Sequence, residues 1–180
     1  MRFTPTEIPD VILIEPEVHE DSRGFFFEFY SKEFFLKNGI REEFVQDNHS
    51  RSMKGVLRGL HYQVAPKAQA KLVRVIRGEA FDVAVDIRKD SKTFGRAVWH
   101  LLSEANKKML YIPKGFAHGF CSMKDHTELL YKVSDFYSPG HERGIRWNDP
   151  AIQIPWPTLD TGYTFSEKDQ RYPSLKESIL

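Results

Sequence analysis

Residues 55–63, GVLRGLHYQ, contain one histidine where a strand-borne metal site would use two. His61 lies six positions after Gly55, and Gln63 stands two positions further on, where a second histidine would reach the same face of a strand. Lys71, further along the chain, adds an ammonium group. A divalent metal needs three or four nitrogen, oxygen or sulfur donors, and a neighbouring cation repels it. The pattern therefore predicts a site that works without a metal or other cofactor.

Four side chains, those of His61, Lys71, His118 and Tyr131, offer the groups needed for proton transfer beside a carbonyl. A histidine is a candidate general base, and a tyrosine can donate a proton from the opposite side of a substrate. A partly buried lysine can stabilise an enolate oxygen. These groups predict epimerisation through an enolate. Plainer roles stay open, since such histidines and tyrosines also occur in cores and Lys71 can reach solvent from a strand end.

The composition restricts the class of protein. The 180 residues include 26 Lys+Arg and 25 Asp+Glu, and this balance predicts neither a nucleic acid nor a membrane as partner. Cys121 is the only cysteine, which excludes an internal disulfide and a multi-thiolate metal site. No signal-peptide pattern or long apolar span is present, so a cytoplasmic protein is expected. The 14 Phe, 7 Tyr and 3 Trp favour a well-packed, oligomeric protein.

The elements that must position these side chains are mainly short strands. In AFDVAVDI (80–87) the larger apolar residues alternate with Ala and Asp, a period of two. KLVRVIRG (71–78) and TELLYKVSDFY (127–137) are further strand candidates, separated by turn residues. Many short strands of this kind predict an antiparallel sandwich or barrel.

Helical signals are confined to two places. SKEFFLKNG (31–39) predicts a short helix with Ser31 as its N-cap and Gly39 as its stop. The C-terminal segment 166–180 has only a weak helical or irregular pattern. No internal repeat, low-complexity tract or linker divides the chain, so we expect a single domain over residues 1–180.

Two segments resemble the motifs of the cupin family. The members of this family are small jelly-roll β-barrels. The family's first motif has a glycine, a His-x-His pair, a glutamate and a second glycine, and its second motif is Pro-x-Gly-x-x-His. The resemblance implies an all-β, cupin-like jelly-roll barrel or sandwich with a few short peripheral helices. The matching positions are Gly55, His61, Gln63, Lys71 and Gly78 in the first motif, with a longer spacer before Lys71, and Pro113, Gly115 and His118 in the second.

A closer resemblance extends over nearly the whole chain. Several blocks in order resemble the dTDP-4-dehydrorhamnose 3,5-epimerases, which are cupin-type enzymes of deoxysugar biosynthesis. Six or seven blocks in the same order are more specific than any single motif. They are DSRGFFFE (21–28), FVQDNHS (44–50), KGVLRGLHYQ (54–63), KLVRVIRGEAFDVAVDIRKDS (71–91), YIPKGFAHGF (111–120), YKVSDFYSPGHERGIRWNDP (131–150) and SEKD (166–169).

The resemblance implies a role for each matching residue. His61 corresponds to the catalytic base, Tyr131 to the proton donor and Asp169 to the carboxylate that orients the histidine. Lys71 matches the lysine near the C4 oxygen of the sugar. The remaining matches are implied substrate contacts: Arg23, Glu28, Gln46, Asp47, Asn48, Arg58, His118, Tyr137, Glu142 and Lys168, with Tyr137 stacking on the thymine. The resemblance further implies a homodimer in which segment 21–28 reaches into the neighbouring subunit's site.

Several of these positions also have plainer interpretations. Arg23, Glu142 and Lys168 can be ordinary solvated charges, and Tyr137 can be an interface aromatic. Nothing but the resemblance singles out Asp169.

The strand pattern also raises a geometric problem. In a regular strand over residues 57–63, Arg58 and His61 would point to opposite faces. A bulge at Gly59 would bring both to one face.

The function implied by the resemblance is epimerisation at C3 and C5 of dTDP-4-dehydro-6-deoxy-D-glucose. The product would be dTDP-4-dehydro-L-rhamnose, the precursor of dTDP-L-rhamnose. The alternatives are a single-position epimerase or ketoisomerase of another dTDP-deoxysugar pathway, and a metal-dependent cupin enzyme.

Overall fold

A computed structural model describes residues 1–178, which form thirteen strands and a few short helices. The helices are α1 (Lys32–Lys37), α2 (Glu167–Gln170) and α3 (Leu175–Ser178), with one 3-10 turn at Pro139–His141. The strands are β1 (Arg2–Pro5), β2 (Ile12–Glu15), β3 (His19–Asp21), β4 (Gly24–Phe26), β5 (Gln46–Ser52), β6 (Leu57–Gln63), β7 (Lys71–Arg77), β8 (Glu79–Asp86), β9 (Ala97–Ser103), β10 (Met109–Ile112), β11 (Phe116–Ser122), β12 (Thr127–Val133) and β13 (Glu142–Gly144).

Two antiparallel sheets face each other. The first has the order β1-β2-β10-β7-β12-β5 and the second has the order β13-β6-β11-β8-β9, while β3 and β4 form a separate hairpin. The core between the sheets combines side chains of both, such as Val73 and Leu129 from the first and Ala84 and Phe120 from the second. The predicted all-β architecture is confirmed. No helix among the described residues is long and apolar enough to cross a membrane.

Strand β8 is buried on both sides, because a second core lies behind the second sheet. Ala80 and Ala84 face the core between the sheets. Val83 and Val85 pack on the other side, together with Ile145 of the C-terminal region. The C-terminal segment thus covers the outer face of the second sheet and is held close to β6 and its histidine.

The predicted helix is confirmed, with one difference at its start. Ser31 is in an extended conformation before α1, but its side chain makes no capping hydrogen bond. Gly39 follows the helix with a φ of 83°, the left-handed conformation that favours glycine. The weak C-terminal pattern corresponds to α2 and α3, and residues 179–180 lie outside the described part of the chain.

The segment after the β3–β4 hairpin lies on the outer face of the first sheet. The Arg74 guanidinium is 4.8 Å from the ring centre of Phe27 and 5.0 Å from that of Phe29. The Lys132 ammonium is 5.7 Å from the Phe29 ring and 5.4 Å from the Tyr30 ring. Each such cation–π contact contributes about 0.5–2 kcal/mol, depending on its exposure. These contacts fix the base of the hairpin.

Strand β6 contains a bulge opposite β11. His61 pairs with His118 and Arg58 pairs with Phe120, so two residues of β6 lie opposite the single Gly119. Arg58 and His61 therefore share one face of the sheet, as a bulge at Gly59 predicts. Gly59 has a φ of 121°, and a Cβ there would lie 2.5 Å from the Gly119 Cα. Only glycine fits this approach of two backbones.

Candidate active site

A pocket opens at one end of the space between the two sheets. Its lining includes seven of the predicted site residues. The residues around it are Gln46, Asn48, His61, Tyr62, Gln63, Gln69, Lys71, Tyr131, Tyr137 and Glu142. Strands β5, β7 and β12 of the first sheet contribute one wall, and β6 and β13 of the second contribute the other.

His61 is paired with a carboxylate from a distant part of the chain. Its Nε2 lies 2.5 Å from Oδ1 of Asp169, on helix α2. Oδ2 of Asp169 accepts a hydrogen bond of 2.8 Å from the Ser166 hydroxyl. The backbone N–H of Gly59, in the bulge, also favours the charged form of this carboxylate. The pair is the arrangement in which a carboxylate orients an imidazole for use as a base.

The Asp169 carboxylate is charged although it is only 4% exposed. Burial by itself raises its pKa, but the hydrogen bond and charge of His61, with the donors Ser166 and Gly59, outweigh this effect. The pKa of Asp169 consequently lies below its ordinary value. The histidine is therefore held by a charged acceptor at neutral pH.

Tyr172 supports His61 from another side. The two rings meet edge-on with centres 5.5 Å apart and planes at 68°. A Cβ on Gly144, the register partner of His61, would lie 2.4 Å from the Tyr172 ring. No sequence pattern indicates Tyr172, because its contact with His61 depends on how the C-terminal segment folds back.

Lys71 is buried rather than solvated at its strand end. It is 8% exposed, and its Nζ donates to the backbone carbonyl of His61 at 3.3 Å. Burial lowers the pKa of Lys71 to about 8, although the negative charges of Asp82 and Glu142 act to raise it. Its ammonium group is thus still present at neutral pH and lines the pocket beside His61.

His118 lies next to His61, on the neighbouring strand, and has its own carboxylate. Its Nε2 is 3.0 Å from Oδ2 of Asp82, which is completely buried. Burial lowers the pKa of His118, although the charge and hydrogen bond of Asp82 oppose this shift. Sequence analysis missed Asp82. The alternation of β8 could have indicated it, because Asp82 lies between Ala80 and Ala84 on the strand face that points into the core.

Tyr131 lies on β12, in the wall opposite the His61 strand. Burial raises the pKa of its phenol, and the Glu142 charge acts in the same direction, while Arg58 opposes them. The hydroxyl therefore keeps its proton at neutral pH. The two facing sheets thus present a protonated phenol on one side and an imidazole on the other.

A chain of polar contacts links three predicted substrate residues at the pocket rim. The Tyr137 hydroxyl donates to Oε2 of Glu142 at 2.8 Å, and the Lys168 ammonium pairs with the same oxygen. Burial raises the pKa of Glu142, but the bonds from Lys168 and Tyr137 outweigh it, so this pKa is lowered. Glu142 is thus a paired charge on a short strand rather than a solvated loop residue. Gln46 accepts from the Tyr137 backbone N–H at 3.1 Å.

Other predicted substrate residues lie away from this pocket. Arg58 shares the His61 face but donates to the Ser52 hydroxyl at 3.1 Å. Asp47 points to the opposite face of β5 from Gln46 and pairs with Lys132 at 2.9 Å.

Arg23 and Glu28 belong to the hairpin region and do not line the pocket of their own chain. The Arg23 side chain is 88% exposed and pairs with Asp21.

The side chains around the pocket are not grouped as the ligands of a metal site would be. Within residues 1–178, no group of three or more His, Cys, Asp or Glu side chains is arranged to hold a metal ion. Gln63 occupies the position of the second motif histidine, and its amide is engaged with backbone groups. The metal-free site stays a prediction, which elemental analysis of the purified protein can test.

Comparison with known proteins identifies the family. A sequence profile described as dTDP-4-dehydrorhamnose 3,5-epimerase matches residues 5–177. The chain is 55% identical over 170 residues to the dTDP-4-dehydrorhamnose 3,5-epimerase of Shigella flexneri, covering 94% of this chain and 93% of that protein. It is also 55% identical over 172 residues to the enzyme of that name from Pseudomonas aeruginosa, covering 95% and 94%.

The chain belongs to the dTDP-4-dehydrorhamnose 3,5-epimerase family. Among solved structures, dTDP-6-deoxy-D-glucose-3,5-epimerase from Legionella pneumophila, in complex with dTDP-4-keto-L-rhamnose, has a TM-score of 0.94 and 45% identity. That match covers 97% of this chain and 93% of the other. The family resemblance and the cupin-like fold are both confirmed.

The titration of Lys71 tests the electrostatics of this site. We expect Lys71 to titrate near pH 8, because burial disfavours its charged form. The substitution Asp82→Asn removes a negative charge that favours the ammonium, so it should lower this pKa further. Lysine carbon-13 NMR, with the resonance assigned by its loss in Lys71→Met, measures both values. A Lys71 pKa at its ordinary value of 10.5, or a rise in Asp82→Asn, would contradict this electrostatic account.

Proposed function

We propose that the chain is a dTDP-4-dehydrorhamnose 3,5-epimerase. It acts on dTDP-4-dehydro-6-deoxy-D-glucose and inverts C3 and C5 to give dTDP-4-dehydro-L-rhamnose. The observation that carries this proposal is the placement of His61 and Tyr131 on facing sheets around one pocket. A sugar ring between these sheets has a base on one side and an acid on the other, which is what inversion requires.

The 4-keto group supplies the acidity. It makes the hydrogens at C3 and C5 removable, because the resulting carbanion is stabilised as an enolate. His61, oriented by Asp169 at 2.5 Å, removes the proton. The Lys71 ammonium stabilises the enolate oxygen, and the low polarity of its buried position strengthens this interaction. Tyr131 then returns a proton from the opposite face at C5, and C3 follows similarly.

The polar rim is proposed to bind the nucleotide. Tyr137 has an exposed ring suited to stacking on thymine, and its hydroxyl is fixed by Glu142. The Lys168 ammonium, which pairs with Glu142 at this rim and is 53% exposed, can also contact the diphosphate, and Gln46 and Asn48 present amides to the same pocket. The similar Legionella protein was solved with a dTDP-sugar, which supports this assignment.

Solvent deuterium tests the proposed reaction. The wild-type protein, incubated with dTDP-4-dehydro-6-deoxy-D-glucose in D2O, should give a product labelled at both C3 and C5 by NMR. His61→Ala should lower the rate by about a thousandfold or more without a comparable loss of thermal stability. Tyr131→Phe should still exchange protons but lose inversion, chiefly at C5.

Labelling patterns separate the alternatives. A wild-type product labelled at neither carbon would overturn the proposed function. Label at one carbon alone would instead indicate a single-position epimerase, and movement of the keto group would indicate a ketoisomerase.

We propose that the active form is a homodimer in which segment 21–28 reaches the neighbouring site. Phe25 and Phe26 at the hairpin tip are 59% and 71% exposed, and exposed aromatics of this size favour an interface. In this arrangement Arg23 and Glu28 would meet the partner's nucleotide, which explains why they lie outside their own pocket. The cytoplasm is the proposed compartment, which cell fractionation tests.

Oligomeric state tests the hairpin proposal. Phe26→Asp should shift the protein from dimer to monomer in sedimentation experiments, because a buried carboxylate opposes association. Its KM for the sugar nucleotide should rise at least about tenfold through loss of Arg23 and Glu28 contacts. Leu101→Asp, an equally charged change at a 45% exposed residue of β9, is the control. A fully active wild-type monomer would contradict the proposal.

A further inference from the structure

Gln63 is a buried pocket residue to which the proposed reaction assigns no task. It is 7% exposed and lies two positions after His61, where the cupin pattern has its second histidine. Its Nε2 donates to the Lys67 carbonyl at 2.6 Å and to the Phe136 carbonyl at 3.3 Å. Its Oε1 accepts from the Ser138 backbone N–H at 2.7 Å. The amide thus holds three backbone groups from two separate segments.

The chemistry of these partners selects an amide. Two carbonyls require two donors, and one N–H requires an acceptor, which is the complement of a primary amide. A glutamate of the same shape would direct a carboxylate oxygen at two carbonyls. A neutral histidine would have only one donor. The Gln63 amide therefore complements the three backbone groups around it. Its presence has a structural reason beyond the replacement of a metal-binding histidine.

The backbone that Gln63 holds carries Tyr137, which is proposed to stack on the nucleobase. We call residues 134–138 the rim loop, and Gln63 bonds both residues that flank Tyr137 in it. The same amide ties the rim loop to Lys67 in the connection between β6 and β7. Gln63 is also the register partner of Glu142, which accepts the Tyr137 hydroxyl bond.

We propose that Gln63 is a positioning residue that fixes the rim loop so that the Tyr137 ring meets the nucleobase. The glutamine acts on substrate affinity, while proton transfer belongs to His61 and Tyr131. This inference rests on the proposed function, because it takes the substrate to be a dTDP-sugar. Gln63, which replaces the second histidine of the cupin motif, thereby has a role in nucleotide recognition.

Two substitutions at one position test the proposal. Gln63→Glu keeps the shape and removes both donors, and Gln63→Met keeps the approximate volume without polar atoms. Both should raise the KM for the sugar nucleotide and the Kd for dTDP by about tenfold or more, with kcat within about threefold of wild type. Gln153→Glu, the same change at an exposed residue outside the pocket, is the control. Thermal melting identifies a variant that fails to fold. The KM and Kd of the other Gln63 variant then test the proposal.

A double substitution distinguishes positioning of Tyr137 from a direct contact. If Gln63 acts through Tyr137, then adding Gln63→Met to Tyr137→Ala should change dTDP affinity by less than about threefold. An equal loss in both backgrounds would overturn the proposal, as would a fall in kcat with unchanged dTDP affinity. Failure of the proposed function would look different, since the wild-type protein would then neither epimerise the substrate nor bind dTDP.

Discussion

A buried carboxylate has to be matched by donors, and Asp169 is matched from three directions. His61 lies on β6, Ser166 is the N-cap of α2, and the backbone N–H of Gly59 in the bulge also favours the charged carboxylate. The last of these links the bulge to the site, because the glycine that permits close approach of β6 and β11 also favours the charged carboxylate. Removing one partner of a buried bond of this kind costs about 1–3 kcal/mol. The C-terminal segment is therefore part of the proposed catalytic unit.

The two sheets divide the proposed chemistry between them. The second sheet holds His61 and His118, each with a buried carboxylate, while the first sheet holds Lys71 and Tyr131. Lys71 donates to a backbone carbonyl rather than forming a close ion pair. A buried ammonium in this state is poised to interact with a negative charge that appears during the reaction. The same position would oppose a bound divalent cation.

The sequence predicted the local features of this structure well. Period-two segments became β7, β8 and β12, and Gly59 correctly indicated the bulge that places Arg58 beside the His61 face. The sequence could not decide whether Lys71 was buried, since that depends on the facing sheet. Asp82 and the three bonds of Gln63 were missed for the same reason: their partners are set by tertiary contacts. The family resemblance alone indicated Asp169, which is 108 residues from His61.

The proposed reaction depends on the contact between Asp169 and His61, and the rate of solvent proton exchange in Asp169→Asn measures what this contact contributes. The asparagine keeps the shape but removes the charge that orients the imidazole. At saturating substrate, deuterium incorporation from D2O should slow by about a hundredfold or more, with KM within about threefold of wild type. An exchange rate equal to that of the wild-type protein would contradict it.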